Sequence, residues 1–186
     1  MVHVPLPALI TRIASESELH LFPNNQINIE SQENNRIVTI DRSIPRWVGT
    51  FSIGGVSREE WAKTVEAWLS RFHGRRNTTD IPLKKPTIET ATTISGSSVS
   101  SDVRSHTFAS AAGLSVGAYF IADDKLYIIT ELTGARAVCE PQRQIPNGTA
   151  VTPALNFRVR LAQREHPDMV RVRNGWGPWA FDWVEA

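Results

Sequence analysis

Residues 1–56 contain several short segments in which apolar and polar residues alternate or β-branched residues cluster, a pattern that is typical of strands. Residues 27–29 and 36–40 are short β-branched segments separated by Asn- and Gln-rich turns. Residues 47–53 alternate large apolar residues with small or polar ones, and Gly54 and Gly55 end that pattern. This part of the chain is therefore predicted to form several short strands.

The next segment has the period of an amphipathic helix. Ser57 and Glu60 form a capping box, in which the serine hydroxyl accepts from an early helical amide and the carboxylate accepts from the serine amide. Gly74 supplies a C-terminal stop. The pattern predicts a helix over 58–72 that covers a curved sheet. Its apolar stripe consists of Trp61, Val65, Trp68, Leu69 and Phe72.

Beyond the helix the composition changes twice. Residues 77–83 predict a short strand, and Pro82 places it at a sheet edge or at a strand end because proline cannot donate to a ladder. Residues 86–117 are rich in Ser, Thr, Ala and Gly, which is typical of a flexible connector or of a set of short surface strands. This segment is the predicted domain boundary.

Strong β-patterns return after Gly117. Residues 118–121 and 125–130 flank Asp123 and Asp124, which predicts a tight hairpin. Further strands that complete a small barrel or alternate apolar with charged residues are predicted at 135–139, 150–152, 157–161, 169–173 and 175–185.

The aromatic residues are predicted to build the core and the subunit interface. Trp179, Phe181 and Trp183 share one face of the closing strand, with Asp182 on the other. The predicted structural core consists of Trp47, Trp61, Val65, Trp68, Leu69, Phe72, Trp179, Phe181 and Trp183. The predicted interface candidates are Trp176, which lies between two glycines, and the basic pair Arg75 and Arg76.

Composition excludes several classes of protein. Lys plus Arg (20) nearly balances Asp plus Glu (19) over 186 residues, whereas a dedicated nucleic-acid binder usually carries a basic excess. Cys139 is the only cysteine, so an internal disulfide and a cysteine-rich zinc site are excluded, and a small buried residue is the expected role. No apolar run approaches the length of a membrane span, and the start of the chain is a poor signal peptide.

Motifs that carry chemistry are missing from the sequence. The five histidines form no metal-binding pair, and Asp123 and Asp124 would point to opposite faces of an extended strand. No P-loop, nucleophile elbow or dinucleotide fingerprint is present. The sequence therefore predicts a protein that is not an enzyme and uses neither a cofactor nor a metal.

Three segments together resemble small tail-tip proteins of tailed phages. They are residues 46–53, the helix 60–74 followed by residues 77–83, and the closing residues 179–186. A tryptophan strand, a helix that ends in a Leu-x-x-x-x-Gly turn and a short strand running into proline form a pattern similar to the phage distal tail and baseplate hub-connector family.

The resemblance implies a mainly-β fold with one amphipathic helix. A split β-barrel would use residues 1–87 and 155–186, and a small OB-like β-barrel would be inserted at 88–154. In that family the split barrel forms a ring, which implies a homo-oligomer, expected to be a hexamer with a trimer as the alternative. The ring would link the tail tube to baseplate hub proteins or the receptor-binding apparatus. The family implies no catalytic residues, no nucleic acid and no membrane, and a place in the virion tail after assembly in the host cytoplasm.

Two further hypotheses belong to other classes. An OB-like binding module could grip a glycan or single-stranded nucleic acid through Trp176, Tyr119 and Tyr127, although the near-zero net charge argues against nucleic acid. A tail-borne cell-wall hydrolase would need a carboxylate pair, a zinc site or a cysteine–histidine pair, and none stands at a recognisable spacing.

Overall fold

The structure is a computed structural model that describes eleven segments of the chain: residues 2–8, 18–22, 27–30, 37–40, 46–53, 57–71, 77–100, 103–161, 171–172, 175–176 and 179–186. In these segments the protein is mainly β, with a short helical segment at residues 58–70 and a closed six-stranded β-barrel. The prediction of a mainly-β fold with one helix is therefore confirmed.

Fifteen strands are numbered here in chain order. They are β1 (Glu18–Phe22), β2 (Ile27–Glu30), β3 (Ile37–Ile40), β4 (Arg46–Ile53), β5 (Thr79–Pro82), β6 (Thr92–Ser100), β7 (Val103–Phe108), β8 (Tyr119–Ala122), β9 (Lys125–Thr133), β10 (Arg136–Glu140), β11 (Ala150–Pro153), β12 (Asn156–Leu161), β13 (Arg171–Val172), β14 (Gly175–Trp176) and β15 (Trp179–Glu185).

One sheet, called the five-stranded sheet below, has the antiparallel order β1-β4-β15-β12-β5. Strand β5 lies at its edge and Pro82 is the last residue of that strand, as the missing proline donor requires. At Thr78, the residue just before β5, the backbone carbonyl accepts from the amide of Val4 at 2.8 Å. The segment around Val4 thereby extends this edge in a parallel direction.

The helical segment spans Arg58–Glu60 as α-helix, Trp61–Glu66 as π-helix and Ala67–Ser70 as α-helix, and is called α1 below. Its capping box forms as predicted: the Glu60 amide donates to Ser57 Oγ, and the Ser57 amide donates to Glu60 Oε2, both at 3.2 Å. The middle of the segment is π-helical, whereas the sequence pattern predicted an ordinary helix. In a π-helix each backbone hydrogen bond spans one residue more than in an α-helix. The predicted stop at Gly74 lies outside the described residues.

The closed barrel has the strand order β10-β7-β6-β11-β8-β9, and β9 pairs with β10 to complete the circle. Residues 123 and 124 connect β8 to β9, and both have positive φ values, 50° and 57°. Tight hairpins favour that backbone because its twist matches the twist of the flanking strands. The predicted hairpin is confirmed.

The sequence of the Ser/Thr-rich segment is compatible with a flexible connector or with short surface strands, and the structure shows strands. Thr92–Ser100 and Val103–Phe108 form strands of the barrel rather than a flexible connector. Ile94, His106 and Phe108 supply the buried inward face. Hydroxyl-bearing residues are tolerated because most of the outward-facing positions stay exposed, Ser105 being a buried exception. A composition rich in Ser and Thr is thus compatible with ordered barrel strands.

Among the described residues, the buried apolar side chains form two clusters. The first, called the sheet core below, consists of Val4, Trp47, Val65, Trp68, Leu69, Ile81, Leu83, Leu126, Ala154, Phe157, Val159 and Trp183. The second, called the barrel core below, consists of Ile88, Ile94, Phe108, Ala118, Phe120, Ala122, Tyr127, Ile129, Ala137, Cys139, Ile145 and Val151. The helix α1 contributes Val65, Trp68 and Leu69 to the sheet core, so it covers the sheet as predicted.

Candidate functional site

The barrel and the five-stranded sheet share a wall, which is the outer face of β8 and β9. Leu126 belongs to the sheet core, whereas its neighbour Tyr127 belongs to the barrel core. Successive strand residues point to opposite faces, so one strand supplies both cores. Tyr119, Ile121 and Ile128 pack on the sheet core beside Leu126. We call this shared wall the junction.

Trp47 of the sheet binds the backbone of the barrel at the junction. Its indole Nε1 donates to the carbonyl oxygen of Leu126 at 2.8 Å. Its ring lies 5.8 Å from the Tyr119 ring, centroid to centroid, at an interplanar angle of 55°. A buried indole N–H needs an acceptor, and the barrel supplies it, so burying Trp47 depends on the position of β9.

Glu185, near the end of β15, is a charged residue at the junction with only 3% of its surface exposed. Its Oε1 accepts from the backbone amide of Leu126 at 2.9 Å, and its Oε2 accepts from Arg143 Nη2 at 2.6 Å. A buried carboxylate is tolerated only when it is paired and hydrogen-bonded. The two oxygens therefore bind a strand and a loop of the barrel simultaneously.

Arg143 connects that ion pair to the barrel core. Its guanidinium carbon lies 6.0 Å from the centroid of the Tyr127 ring, at the limit of a cation–π contact. The Tyr127 ring stacks on Phe120 at 5.3 Å with an interplanar angle of 13°. Burial raises the pKa of Tyr127 to about 12, and the Arg143 charge opposes that rise, so the phenol is neutral at physiological pH.

His106 is the third polar residue of this network. It is 1% exposed, and its Nε2 lies 3.1 Å from the carbonyl oxygen of Arg143, an acceptor that fixes the proton on Nε2. Among the described residues, Nδ1 has no hydrogen-bond partner. Burial lowers the pKa of His106; the nearby Arg104 charge acts in the same direction, while the Arg143 carbonyl opposes it.

Acidification is expected to destabilise the protein through His106. The pKa of His106 is lower in the folded chain than its ordinary value of 6.5, so the unfolded chain binds the proton first. The stabilisation is fully present above that value and decreases as the pH falls through it towards the folded pKa. Urea unfolding between about pH 7.5 and about pH 5.5 should show this slope.

Two variants test whether this dependence of stability on pH comes from His106. His106→Leu should flatten the slope, because the residue that titrates differently in the two states is gone. His3→Gln is the matched control and should retain it, because His3 is an exposed side chain at the edge of the five-stranded sheet and lies outside the barrel core. An unchanged slope in His106→Leu would contradict the assignment.

The junction also has an exposed rim. Arg158 of β12 donates through Nε to Asp80 at 3.1 Å and lies 3.9 Å from Asp124 in the β8–β9 turn. The Lys125 ammonium donates to the carbonyl oxygen of Ala186. Solvent-exposed pairs of this kind contribute little to stability, so the buried contacts of Glu185 and Trp47 dominate the junction.

Cys139 lies in the barrel core and is 1% exposed, which confirms its interpretation as a small buried residue. Burial raises the pKa of its thiol to about 12, with a smaller contribution from Glu140. The thiolate, which is the nucleophile, is therefore scarce at neutral pH. Iodoacetamide should label Cys139 in the native protein at least about a hundredfold more slowly than in urea, because labelling requires the barrel to open. Comparable rates in the two conditions would contradict the burial.

The structure places part of the predicted core together. Trp47, Val65, Trp68, Leu69 and Trp183 all lie in the sheet core. The side chains of the remaining predicted core and interface residues lie outside what the structure describes. They are Trp61, Phe72, Arg75, Arg76, Trp176, Trp179 and Phe181.

One aromatic candidate for ligand stacking is corrected. Tyr127 is buried inside the barrel against Phe120, so its ring cannot stack on a base or a sugar. Sequence reasoning also missed Glu185, Arg143 and His106. A signal for Glu185 existed: it stands two residues after Trp183, which places a carboxylate on the same strand face as a core tryptophan.

Within the described ranges, no group of three or more His, Cys, Asp or Glu side chains could hold a metal ion. Nor does any helix in that part of the chain have the length and apolar character needed to cross a membrane. The hydrogen bonds of Trp47 and Glu185 at the junction join the barrel to the five-stranded sheet.

Comparison with known proteins adds no family. A scan of the chain against models of protein families gave no match. A search of curated proteins gave no significant match either.

Proposed function

We propose that this chain is a structural, non-enzymatic component of a phage tail tip or baseplate. It would assemble into a ring that connects the tail tube to the hub or the receptor-binding apparatus. Its split β-barrel would consist of residues 1–87 and 155–186, and the closed barrel at 88–154 would be an OB-like insertion.

The observation that carries the proposal is where the chain leaves and rejoins the five-stranded sheet. The amide of Leu83 donates to the carbonyl of Leu155 at 2.9 Å, and Pro82 is paired with Asn156. All six barrel strands lie between these points in sequence, from Thr92 to Pro153. A unit whose ends are adjacent can be inserted between two paired strands without disturbing them.

The junction supports a structural role for such an insertion. Domains of one chain usually move relative to one another unless their interface is large and apolar. Here Leu126 lies in the sheet core, Trp47 donates to its carbonyl and Glu185 accepts from its amide. Both backbone groups of one barrel residue are thus bound by the sheet, as suits a subunit that must present its barrel at a fixed angle.

The test is the assembly state of the purified chain. Mass photometry and negative-stain electron microscopy should show closed rings, six subunits being expected and three the alternative. A closed ring requires heterologous contacts whose rotation closes, which microscopy reveals directly as symmetry. A monomer that persists at about 50 μM, well above the concentration at which specific interfaces associate, would overturn the proposal.

A further inference from the structure

The closed barrel carries a groove on its outer surface, whose floor reaches the barrel core at Ala137 and Leu132. We call it the outer groove. It has a volume of about 270 Å³ and crosses β7, β9 and β10. Its lining combines hydroxyl, charged and aliphatic side chains: Val103, Ser105, Glu131, Leu132, Thr133, Arg136, Ala137 and Val138.

Strand register explains why a groove forms there. Across four strands, one row of paired positions consists of Ser98, Ser105, Val138 and Glu131. The adjacent row consists of Gly96, Thr107, Arg136 and Thr133. On the β7 side the groove is lined by Ser105, a small residue, and on the other side by the longer side chains of Glu131 from β9 and Arg136 from β10.

Arg136 is held in place across these rows by neutral acceptors. Its Nε donates to Ser105 Oγ at 2.8 Å and its Nη2 donates to Ser98 Oγ at 3.0 Å. No carboxylate of the described residues forms an ion pair with it. The guanidinium is therefore oriented but its charge is not neutralised, and its Nη1 hydrogens and second Nη2 hydrogen remain for a bidentate acceptor.

The other lining residues select the kind of anion. Glu131 lies in the same groove, so a dianion such as phosphate would be repelled more strongly than a single carboxylate. Val103 is 45% exposed, and it lines the groove together with Leu132 and Val138. An apolar group beside the carboxylate would cover these side chains and remove them from water.

We propose that the outer groove binds an acidic segment of a partner polypeptide, one carboxylate side chain pairing with Arg136 and a neighbouring apolar side chain covering Val103. Carboxylates pair with arginine through two parallel hydrogen bonds, which gives direction as well as affinity. Every residue that lines the groove belongs to one chain, so the site is complete without a second subunit.

The experiment uses the full chain, labelled with nitrogen-15, and a pair of peptides. The probe is acetyl-Ser-Leu-Glu-Val-Ser-amide, and its matched control replaces the glutamate with glutamine. The acidic peptide should shift the amide signals of Ser98, Ser105 and Arg136 and bind about tenfold more tightly than the control, as expected for one charge-assisted pair.

Three variants locate the effect. Arg136→Gln should weaken the acidic peptide to the level of its control and leave the control peptide unchanged. Lys85→Gln, which removes an exposed positive charge that does not line the groove, should change neither. Glu131→Gln should tighten the acidic peptide severalfold, because a repulsive carboxylate is gone. Unfolding midpoints equal to the parent's would show that the variants are folded.

Four results would overturn the proposal. They are equal affinity for the two peptides, retained discrimination in Arg136→Gln, no shifted signals at about 10 mM peptide, a concentration that exceeds weak specific binding, and tighter binding of a glucuronic-acid oligomer than of the acidic peptide. The last would assign the groove to an acidic polysaccharide instead.

Discussion

Replacing Glu185 with alanine is expected to lower the free energy of unfolding by about 3–5 kcal/mol, the usual cost of removing one partner of a buried ion pair. Glu185 and Arg143 are 2.6 Å apart, with side-chain exposures of 2% and 11%. The substitution leaves the arginine charge in a dry environment and also removes the acceptor for the Leu126 amide. Urea unfolding followed by circular dichroism measures the loss.

Two control variants test whether the loss comes from burial of the ion pair. Asp124→Asn removes the exposed partner of Arg158, 3.9 Å away, and should cost less than about 1 kcal/mol, because solvent screens such pairs. The double variant Arg143→Met, Glu185→Leu should recover part of the loss, because no unpaired charge stays buried, while the Leu126 amide still lacks its acceptor. A Glu185→Ala effect no larger than that of Asp124→Asn would contradict the burial of the junction pair.

Local patterns predicted the parts of this fold that local forces determine. The capping box of Ser57 and Glu60 forms within one helical turn, and the Asp123-Asp124 turn is fixed by two backbone angles. The strand 79–82 could be placed at an edge because Pro82 lacks a donor. Each of these predictions needed only neighbouring residues.

The junction could not be predicted in this way, because its contacts join distant parts of the chain. The Trp47–Leu126 and Leu126–Glu185 hydrogen bonds connect residues 79 and 59 positions apart. Alternation along β9 offered no help, since Leu126 and Tyr127 are both apolar and both buried. A strand buried on both faces gives no contrast by which to assign its sides, which is why Tyr127 was open to interpretation as a ligand-stacking residue.

The Ser/Thr-rich strand β6 shows a different limit. Composition predicted a connector or surface strands, and only pairing distinguishes the two: β6 lies between β7 and β11 in the barrel. Its Ser98 accepts a hydrogen bond from Arg136 of β10. Hydroxyl-bearing residues on an outer barrel face are thus compatible with an ordered strand.

Trp183→Ala is expected to be the most damaging single substitution in the sheet core, with a loss of about 3–5 kcal/mol from the lost burial and the cavity that remains. Trp183 is 1% exposed, and its ring meets Phe157 edge to face at 4.9 Å. It lies on β15, which is paired on both sides, so the backbone around it has little freedom to collapse into the space.

Trp183→Phe provides the matched control, because it keeps an aromatic ring against Phe157 and should cost clearly less than alanine. Measuring unfolding free energy and assembly for both variants separates packing from binding. If Trp183 is a packing residue, ring formation should decrease only as far as the folded fraction does. A Trp183→Ala protein that keeps the parent's unfolding free energy would contradict the packing role, because the ring is buried within a single chain.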